Sequence, residues 1–435
     1  MLDMNEKIVV IGAGMAGLAA ARTLHDAGYE VRVLEGRDRI GGRTHTDYSL
    51  GTAVDLGASW IHGPTGNPMT PLAQKFGVGG SHTDFDNENG DSLLVFDHDG
   101  TPLDLAEYTE GKTHFVAMFT HLTASQLFTL PPGASVAEVM ALPDLTELTP
   151  LQRKGYDFIG SVSMQLLDAA DPTDVDWQME LDYLTLPGGD LMLHGGGYGQ
   201  IVRGLAEGLA IETAVSVHHI AHHENGVTLE TSNGRYHADR VVLTVPLGVL
   251  QAGAITFDPP LPERKLTAVS RLGMGLFEKL ALRFPHRFWP HHPHYFHFLP
   301  ANEQSLFGSW INLARFTDEP VLVVHNAGSR AALANQLDDD DLLAAAMTAL
   351  QTMFGADIPD PTSYVRTRWG DDPFSRGGYS YGRLGSVRAD REALAEAING
   401  RLFFAGEATH VHYVATAHGA YETGVRAARE IMASR

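Results

Sequence analysis

Residues 8–35 read Ile-Val-Val-Ile-Gly-Ala-Gly-Met-Ala-Gly-Leu-Ala-Ala-Ala-Arg-Thr-Leu-His-Asp-Ala-Gly-Tyr-Glu-Val-Arg-Val-Leu-Glu. The short apolar run Ile8 to Ile11 predicts a buried strand, and Leu18 to Ala27, rich in Ala and Leu, predicts a helix closed by Gly28. A second strand over Glu30 to Leu34 ends at Glu35, about twenty residues past the glycines. In Gly12-x-Gly14-x-x-Gly17 the first glycine permits a tight turn, the second lets backbone approach a pyrophosphate, and the third lets helix pack on strand. Met15 and Ala16 lie within this turn, and the N-terminus of the helix after it supplies N–H donors and partial positive charge for phosphates. Glu35 can accept hydrogen bonds from both ribose hydroxyls and disfavours a 2′-phosphate. The stretch predicts a dinucleotide-binding βαβ unit.

Around this unit the chain is an ordinary globular protein. Its 435 residues, 44% hydrophobic, suggest two or three domains. Asp and Glu outnumber Lys and Arg by 53 to 31, a net charge of -22, which repels nucleic-acid phosphates and anionic lipid and attracts cations. The same charge also serves solubility. There is no cysteine, which excludes disulfides, thiolate metal sites, catalytic thiols and a cysteinyl-flavin bond. No secretory signal, membrane-spanning run or C-terminal address is visible, so the expectation is a cytoplasmic protein without membrane or nucleic-acid partners. Oligomeric state is not legible.

Along the chain the pattern changes. Turn signals stand at Asn89-Gly90 and Asp99-Gly100, and capping boxes at Ser135-Val-Ala-Glu138 and Thr149-Pro-Leu-Gln152 predict helix starts. An αβ pattern returns with a helix over Gln200 to Leu209, a hairpin at Asn233-Gly234 and a strand over Val241 to Val245. A long strand around Leu276 to Phe284 and an amphipathic helix over Asp341 to Phe354 come next, then a last strand, Leu402 to Ala405, and a terminal helix ending near Ser434. The expected fold is α/β: a Rossmann-like cofactor-binding domain in three parts (1–75, 195–261, 368–435), which the motifs below assign to FAD, interleaved with an α+β substrate domain (76–194, 262–367) that carries a mixed sheet flanked by helices.

FAD is separated from NAD by the residues just beyond the second strand, Arg39-Ile-Gly41-Gly42-Arg43-Thr44, and Gly36 and Arg37 before them join the cofactor-binding candidates. Gly12 to Thr44 resembles the N-terminal signature of FAD-binding amine oxidases, which implies that Arg43 meets the flavin diphosphate. Further stretches are similar to the polyamine oxidases and flavin-dependent lysine demethylases of that family. They are Asp55-Leu-Gly57-Ala58-Ser59-Trp60-Ile61-His62-Gly63, Val245 to Leu250, Phe257 to Lys265, Gly275 to Lys279, Arg368-Trp369-Gly370 to Tyr381, and Phe404 to Glu407 with Ala415-Thr416-Ala417-His418-Gly419-Ala420.

The resemblance implies roles residue by residue. Gly57, Ala58, Ser59 and Trp60 pass the flavin ring, and His62 faces the substrate channel, where it binds substrate nitrogen or assists proton removal. Lys279 shares one strand face with Phe277 and Ala281, and the family's matching lysine holds a water at flavin N5; the alternative is a lysine that snorkels to the strand end. Tyr379 stands after Gly378 where covalent members carry a cysteine, so FAD is expected to be noncovalent and Tyr379 to form one side of an aromatic cage. Monoamine oxidases carry a second tyrosine opposite; Thr416 stands there in this chain, leaving Trp369, Trp60 or Tyr413 to complete the cage. Glu407 is expected near the ribityl or diphosphate region, or else as a helix N-cap, and Val217, Gly406 and Ala417 join the cofactor set. Asp168, Asp171 and Asp182 are acids able to meet a distal ammonium, with nothing in the spacing to choose among them.

The cluster His291, His292, His294 and His297 reads as a surface loop and not as a metal site. The function implied is oxidation of a polyamine or related amine, with O2 as acceptor, to aldehyde, amine and hydrogen peroxide. Other readings are an oxidase of an amino acid or another amine, a dehydrogenase or desaturase with another acceptor, and a demethylase-like binding module.

Overall fold

The computed structural model describes residues 6–434 apart from 86, 88, 89, 122–129, 132 and 303. Strand β1 (Lys7–Ile11), helix α1 (Met15–Asp26) and strand β2 (Glu30–Leu34) form the expected unit, with the helix starting earlier than Leu18 because Gly14 already serves as its N-cap. Gly28, at φ +90°, turns the chain out of the helix as only glycine does without strain. β1 pairs in parallel with β2 on one side and with Arg240–Leu243 on the other, and the five-stranded parallel sheet is completed by Leu402–Phe404 and Ala210–Glu212. Its central strands are apolar on both faces (Val10 and Val242 on one, Val241 and Leu402 on the other, all fully buried), as a covered parallel sheet requires. On one face α1 packs against the terminal helix Ala417–Ala433, and Gly424 permits the approach: a Cβ there would lie 2.1 Å from the Ala16 carbonyl oxygen.

A six-stranded sheet runs Ser363–Arg366, Phe277–Arg283, Val321–Ala327, Ser309–Asn312, Tyr295–Phe298, Leu93–Phe96. It is mixed: only the pair Tyr295–Phe298 and Leu93–Phe96 is parallel. One face packs on helix Asp339–Phe354, capped by Asp338 and closed by Gly355, around the fully buried Phe296, Trp310 and Leu322. The other face meets the helices Leu105–His121 and Pro150–Phe158. Both capping boxes form as expected: Ser135 with Glu138, and Thr149 with Gln152. The Asn233-Gly234 hairpin and the turn at Gly100 are present, whereas Asn89 lies outside the described residues.

Helix Gly197–Ala206 begins ahead of the expected Gln200 because its cap is tertiary: the Asp55 carboxylate accepts the Tyr198 N–H at 3.2 Å. Beside the two larger sheets stand a four-stranded one (Gly234–Ala238, Gly226–Thr231, Val217–His223, Thr256–Asp258) and a three-stranded one (Trp60–His62, Asp190–His194, Gly79–Thr83). No helix among the described residues is long and apolar enough to cross a membrane.

Candidate active site

The glycine turn sits at the C-terminal edge of the parallel sheet, where ligands of such sheets bind. Gly12 holds φ +103°, and a Cβ on Gly17 would lie 1.9 Å from the Gly12 carbonyl oxygen, so α1 can meet the turn only through glycine. Around Gly14 a Cβ would find nothing nearer than 3.9 Å, which leaves the backbone open to a ligand. No side chain caps α1, so Met15, Ala16 and Gly17 present first-turn N–H groups of the kind that bind phosphate.

Glu35, 4% exposed, ends β2 and ties the turn to it: its Oε2 accepts the Ala13 N–H at 2.7 Å and its Oε1 the Arg37 N–H at 2.9 Å. Val215 donates its N–H to the Glu35 carbonyl and leads to the buried Val217. Gly36 abuts the Phe374 ring, while Arg37 donates to the Asp372 carboxylate and to Ser375 Oγ. Gly41 and Gly42, at φ +98° and +59°, fold the next loop back on the glycine turn, and the Gly41 N–H reaches the Ala13 carbonyl at 2.8 Å.

Arg43 and Glu407 form the link between distant segments. Arg43 Nη1 donates to Glu407 Oε1 at 3.0 Å and to the Gly378 carbonyl at 2.8 Å. Glu407 also accepts Ser380 Oγ–H at 2.7 Å, the Ser380 N–H and the Ala415 N–H. Burial alone would raise its pKa, but Arg43 and Ser380 bring it below the ordinary value, so Glu407 is an anion. Its neighbour Gly406 holds φ +134° with open space where a Cβ would stand. A small cleft lined by Arg43, Val245, Gly406 and Glu407 opens beside this pair.

The second half of the site gathers about Lys279. Gly57 runs against Arg43, with the Ala58 N–H on the Arg43 carbonyl at 3.2 Å. Lys279 does not reach the strand end: it is 4% exposed, and its Nζ donates to Ser59 Oγ and the Gly57 carbonyl at 2.7 Å and to the Asp55 carbonyl at 3.0 Å. Its ammonium also lies 5.7 Å from the Trp60 ring. Burial lowers the Lys279 pKa to about 8 against the pull of Asp55, whose carboxyl burial raises to about 6. On the opposite strand face Glu278 accepts from Thr367 Oγ–H and the Trp369 and Gly370 N–H groups, which fixes Trp369, itself donating to the Leu56 carbonyl.

Tyr379 is close to Phe277 (5.6 Å between centroids) and donates its hydroxyl to the Leu166 carbonyl. Thr416 is the N-cap of the terminal helix, accepting the Gly419 N–H and donating to the Tyr413 carbonyl, and Ala417 is the first helical residue. His62 lies at the rim with its side chain 55% exposed, Nδ1 2.7 Å from Asp190, a partner the sequence did not suggest.

His325 was also missed. It stands directly across from Lys279 on Val321–Ala327, 5.9 Å edge-on to Trp60 and 5.1 Å from Phe277. Burial lowers its pKa well below the ordinary range, so it is neutral. A histidine inside the apolar run Val-Leu-Val-Val-His325 was the available signal. The reading of His291 to His297 as a surface loop is corrected: His294 and His297 are buried, and His297 stacks on Phe158 at 4.1 Å because it belongs to a strand of the mixed sheet. Among the described residues no group of three or more His, Asp or Glu is placed to hold a metal ion.

The profile of the flavin-containing amine oxidoreductases matches residues 15–432. The chain belongs to that family. It is 36% identical to polyamine oxidase 4 of Oryza sativa subsp. japonica over 97% of this chain and 88% of that protein. It is 36% identical to polyamine oxidase 2 of Arabidopsis thaliana over 99% and 89%. The human lysine-specific histone demethylase 2 is 34% identical over 99% of this chain but only 54% of its own length. Among solved structures, a putrescine oxidase double mutant redesigned in cofactor binding superposes with a TM-score of 0.79 at 21% identity, covering 99% of both chains. The amine oxidase fold is thereby established, and the enzyme is a flavoprotein oxidoreductase whose cofactor is FAD.

The glycine turn fits that cofactor, and the fit is testable. Gly17→Ala places a methyl group on the Gly12 carbonyl oxygen. Purified Gly17→Ala is expected to be largely free of FAD, read as flavin absorbance per protein; wild-type flavin content would show that the close approach is not required.

Proposed function

We propose that this amine oxidase acts on a polyamine or related primary or secondary amine, at the carbon next to nitrogen, with O2 as the terminal acceptor and aldehyde, amine and hydrogen peroxide as products. The observation that carries the reading is the buried Lys279, desolvated among Trp60, Phe277 and His325 with Tyr379 beside them. Similarity to polyamine oxidases over almost the whole chain supports it. FAD, when bound, supplies the acceptor for a hydride equivalent. The aromatic side chains exclude water, which favours the neutral amine. Lys279, held by the Asp55 and Gly57 carbonyls and Ser59 Oγ, serves reoxidation. His62, exposed and paired with Asp190, orients an incoming amine nitrogen. Thr416, whose hydroxyl caps a helix, leaves the second side of the cage to Trp60.

On the cofactor side, Gly12 to Gly17 and Glu35 take the adenosine diphosphate half, Arg43 and Glu407 the flavin half, and Val217 the adenine side. The chain has no cysteine, which supports noncovalent attachment. The interleaved division at 75, 194, 261 and 367 follows the strand supply of the two larger sheets. The net charge of -22 supports a cationic small molecule as partner, and neither nucleic acid nor membrane.

Anaerobic mixing with spermine, spermidine, N-acetylated polyamines, putrescine, benzylamine and amino acids is expected to bleach the flavin fastest with a polyamine, and air to restore it with peroxide release. Bleaching by benzylamine or an amino acid alone would overturn the polyamine reading. Failure of air to restore the colour would overturn oxygen as acceptor.

A further inference from the structure

His325 stands in the middle of the site with a polar ring and nothing to bond to. It lies on Val321–Ala327, an inner strand of the mixed sheet, directly across from Lys279 on one side and from the buried Ser309 on the other, so the three side chains share one sheet face. Trp60 meets its ring edge-on at 5.9 Å and Phe277 lies at 5.1 Å. Neither ring nitrogen has a hydrogen-bond partner among the described residues, its strand neighbours included, and the Lys279 ammonium is turned to Ser59 Oγ and the Asp55 and Gly57 carbonyls. Burying an imidazole without a partner is costly unless a ligand group completes it.

The rings around it reach the surface. His62, its side chain 55% exposed, stacks 6.3 Å from Trp60, and Trp60, His325, Phe277 and Tyr379 follow one another at 5.9, 5.1 and 5.6 Å. The row is continuous from the rim to Tyr379. His325 keeps 6% exposure although its backbone is sealed between two paired strands, so the opening belongs to the ring. The other polar groups inside the rim are committed: the Trp60 indole N–H donates to Thr83 Oγ at 3.0 Å, and the Tyr379 hydroxyl donates to the Leu166 carbonyl. His325 is the one uncommitted hydrogen-bonding group that an amine meets along this row after His62.

We propose that His325 binds the nitrogen that is oxidised, its imidazole accepting an N–H of the neutral amine. The inference rests on the amine-oxidising reading of the site. The direction of the bond follows from the chemistry. Oxidation at the carbon next to nitrogen draws on the nitrogen lone pair; an imidazole donating to that lone pair would tie it up, whereas an imidazole accepting the N–H leaves it free. The charge state agrees. The Lys279 ammonium across the strand opposes a second cation, whether on the ring or on the amine, and burial with Lys279 holds the His325 pKa well below the ordinary range, so the ring keeps an acceptor nitrogen.

The test is anaerobic flavin reduction by spermidine, spermine and putrescine in the wild type, His325→Phe and His325→Gln, with FAD content measured for each. Phenylalanine keeps the ring contacts and removes the acceptor; glutamine gives up the ring and keeps an acceptor oxygen. His325→Phe is expected to lower reduction efficiency about tenfold, the scale of one lost hydrogen bond to a buried group, and His325→Gln to stay within about threefold of wild type. Reduction by His325→Phe within about twofold of wild type overturns the proposal. So does an equal fall in both variants, which would make His325 a packing residue. If His325→Phe fails to hold FAD, His325→Met, a flexible side chain without a nitrogen, takes its place in the comparison. A wild type reduced by none of the three amines overturns the polyamine reading beneath the proposal instead.

Discussion

Lys279→Met is expected to retain FAD and slow the oxidative half-reaction by about a hundredfold, the usual scale for losing a positioned proton-handling group. Methionine fills the same space, but Ser59 Oγ and the Asp55 and Gly57 carbonyls lose a charged donor. Lost hydrogen bonds and relieved desolvation oppose each other, because burial already disfavours the ammonium here. Net stability should therefore move by no more than about 2 kcal/mol, while the rate at which air restores reduced flavin collapses. Stopped-flow reoxidation separates the two effects. A variant that reoxidises at the wild-type rate would remove Lys279 from the chemistry and leave it as a clamp on residues 55–59. A variant that loses flavin would make it part of the cofactor site. Because the Lys279 pKa lies at about 8, any change in wild-type reoxidation across that pH should vanish in the variant.

Glu407→Ala is expected to be the most destabilising of the site substitutions, by about 3–5 kcal/mol, the cost of stranding the partner of a buried ion pair. Arg43 loses its carboxylate, and the Ser380 and Ala415 N–H groups lose their acceptor together. Glu407→Gln keeps an acceptor oxygen and should fall in between. Denaturant unfolding measures both, and an alanine variant within about 1 kcal/mol of wild type would show that water replaces the carboxylate freely. The pH dependence carries a sign. The folded-state pKa of Glu407 is lowered, so its stabilising effect is present above the unfolded-state value of about 4.3 and is lost as pH falls through the folded one. The gap between wild type and Glu407→Gln should accordingly shrink in acid.

Features encoded locally were legible in the chain before any fold was known. The βαβ unit was legible because apolar periodicity, three glycines and Glu35 lie within one short stretch, and each answers a constraint of the backbone: Gly28 at positive φ, Gly17 against the Gly12 carbonyl. The helices after Ser135 and Thr149 were legible because their capping boxes are local. The helix at Gly197 started early because its cap, Asp55, comes from far along the chain. Family membership was legible from motifs spread over the chain and matches the profile over residues 15–432.

Which side chains face one another was settled by the three-dimensional fold alone. Nothing near Glu407 in the chain announces Arg43, and nothing near Lys279 announces His325, which arrives by antiparallel strand register. Of the three aspartates considered for an ammonium, Asp168 is buried, Asp171 accepts from Ser329 and Asp182 lies near Arg388, differences that no local spacing announces. Histidines 294 and 297 looked exposed in sequence and are buried, His297 by strand pairing and His294 by accepting the Asp84 N–H and packing on Phe316. The physical reason is common to all of these: backbone conformation answers to near neighbours, whereas charge, burial and proton affinity answer to whatever the fold brings within a few ångströms.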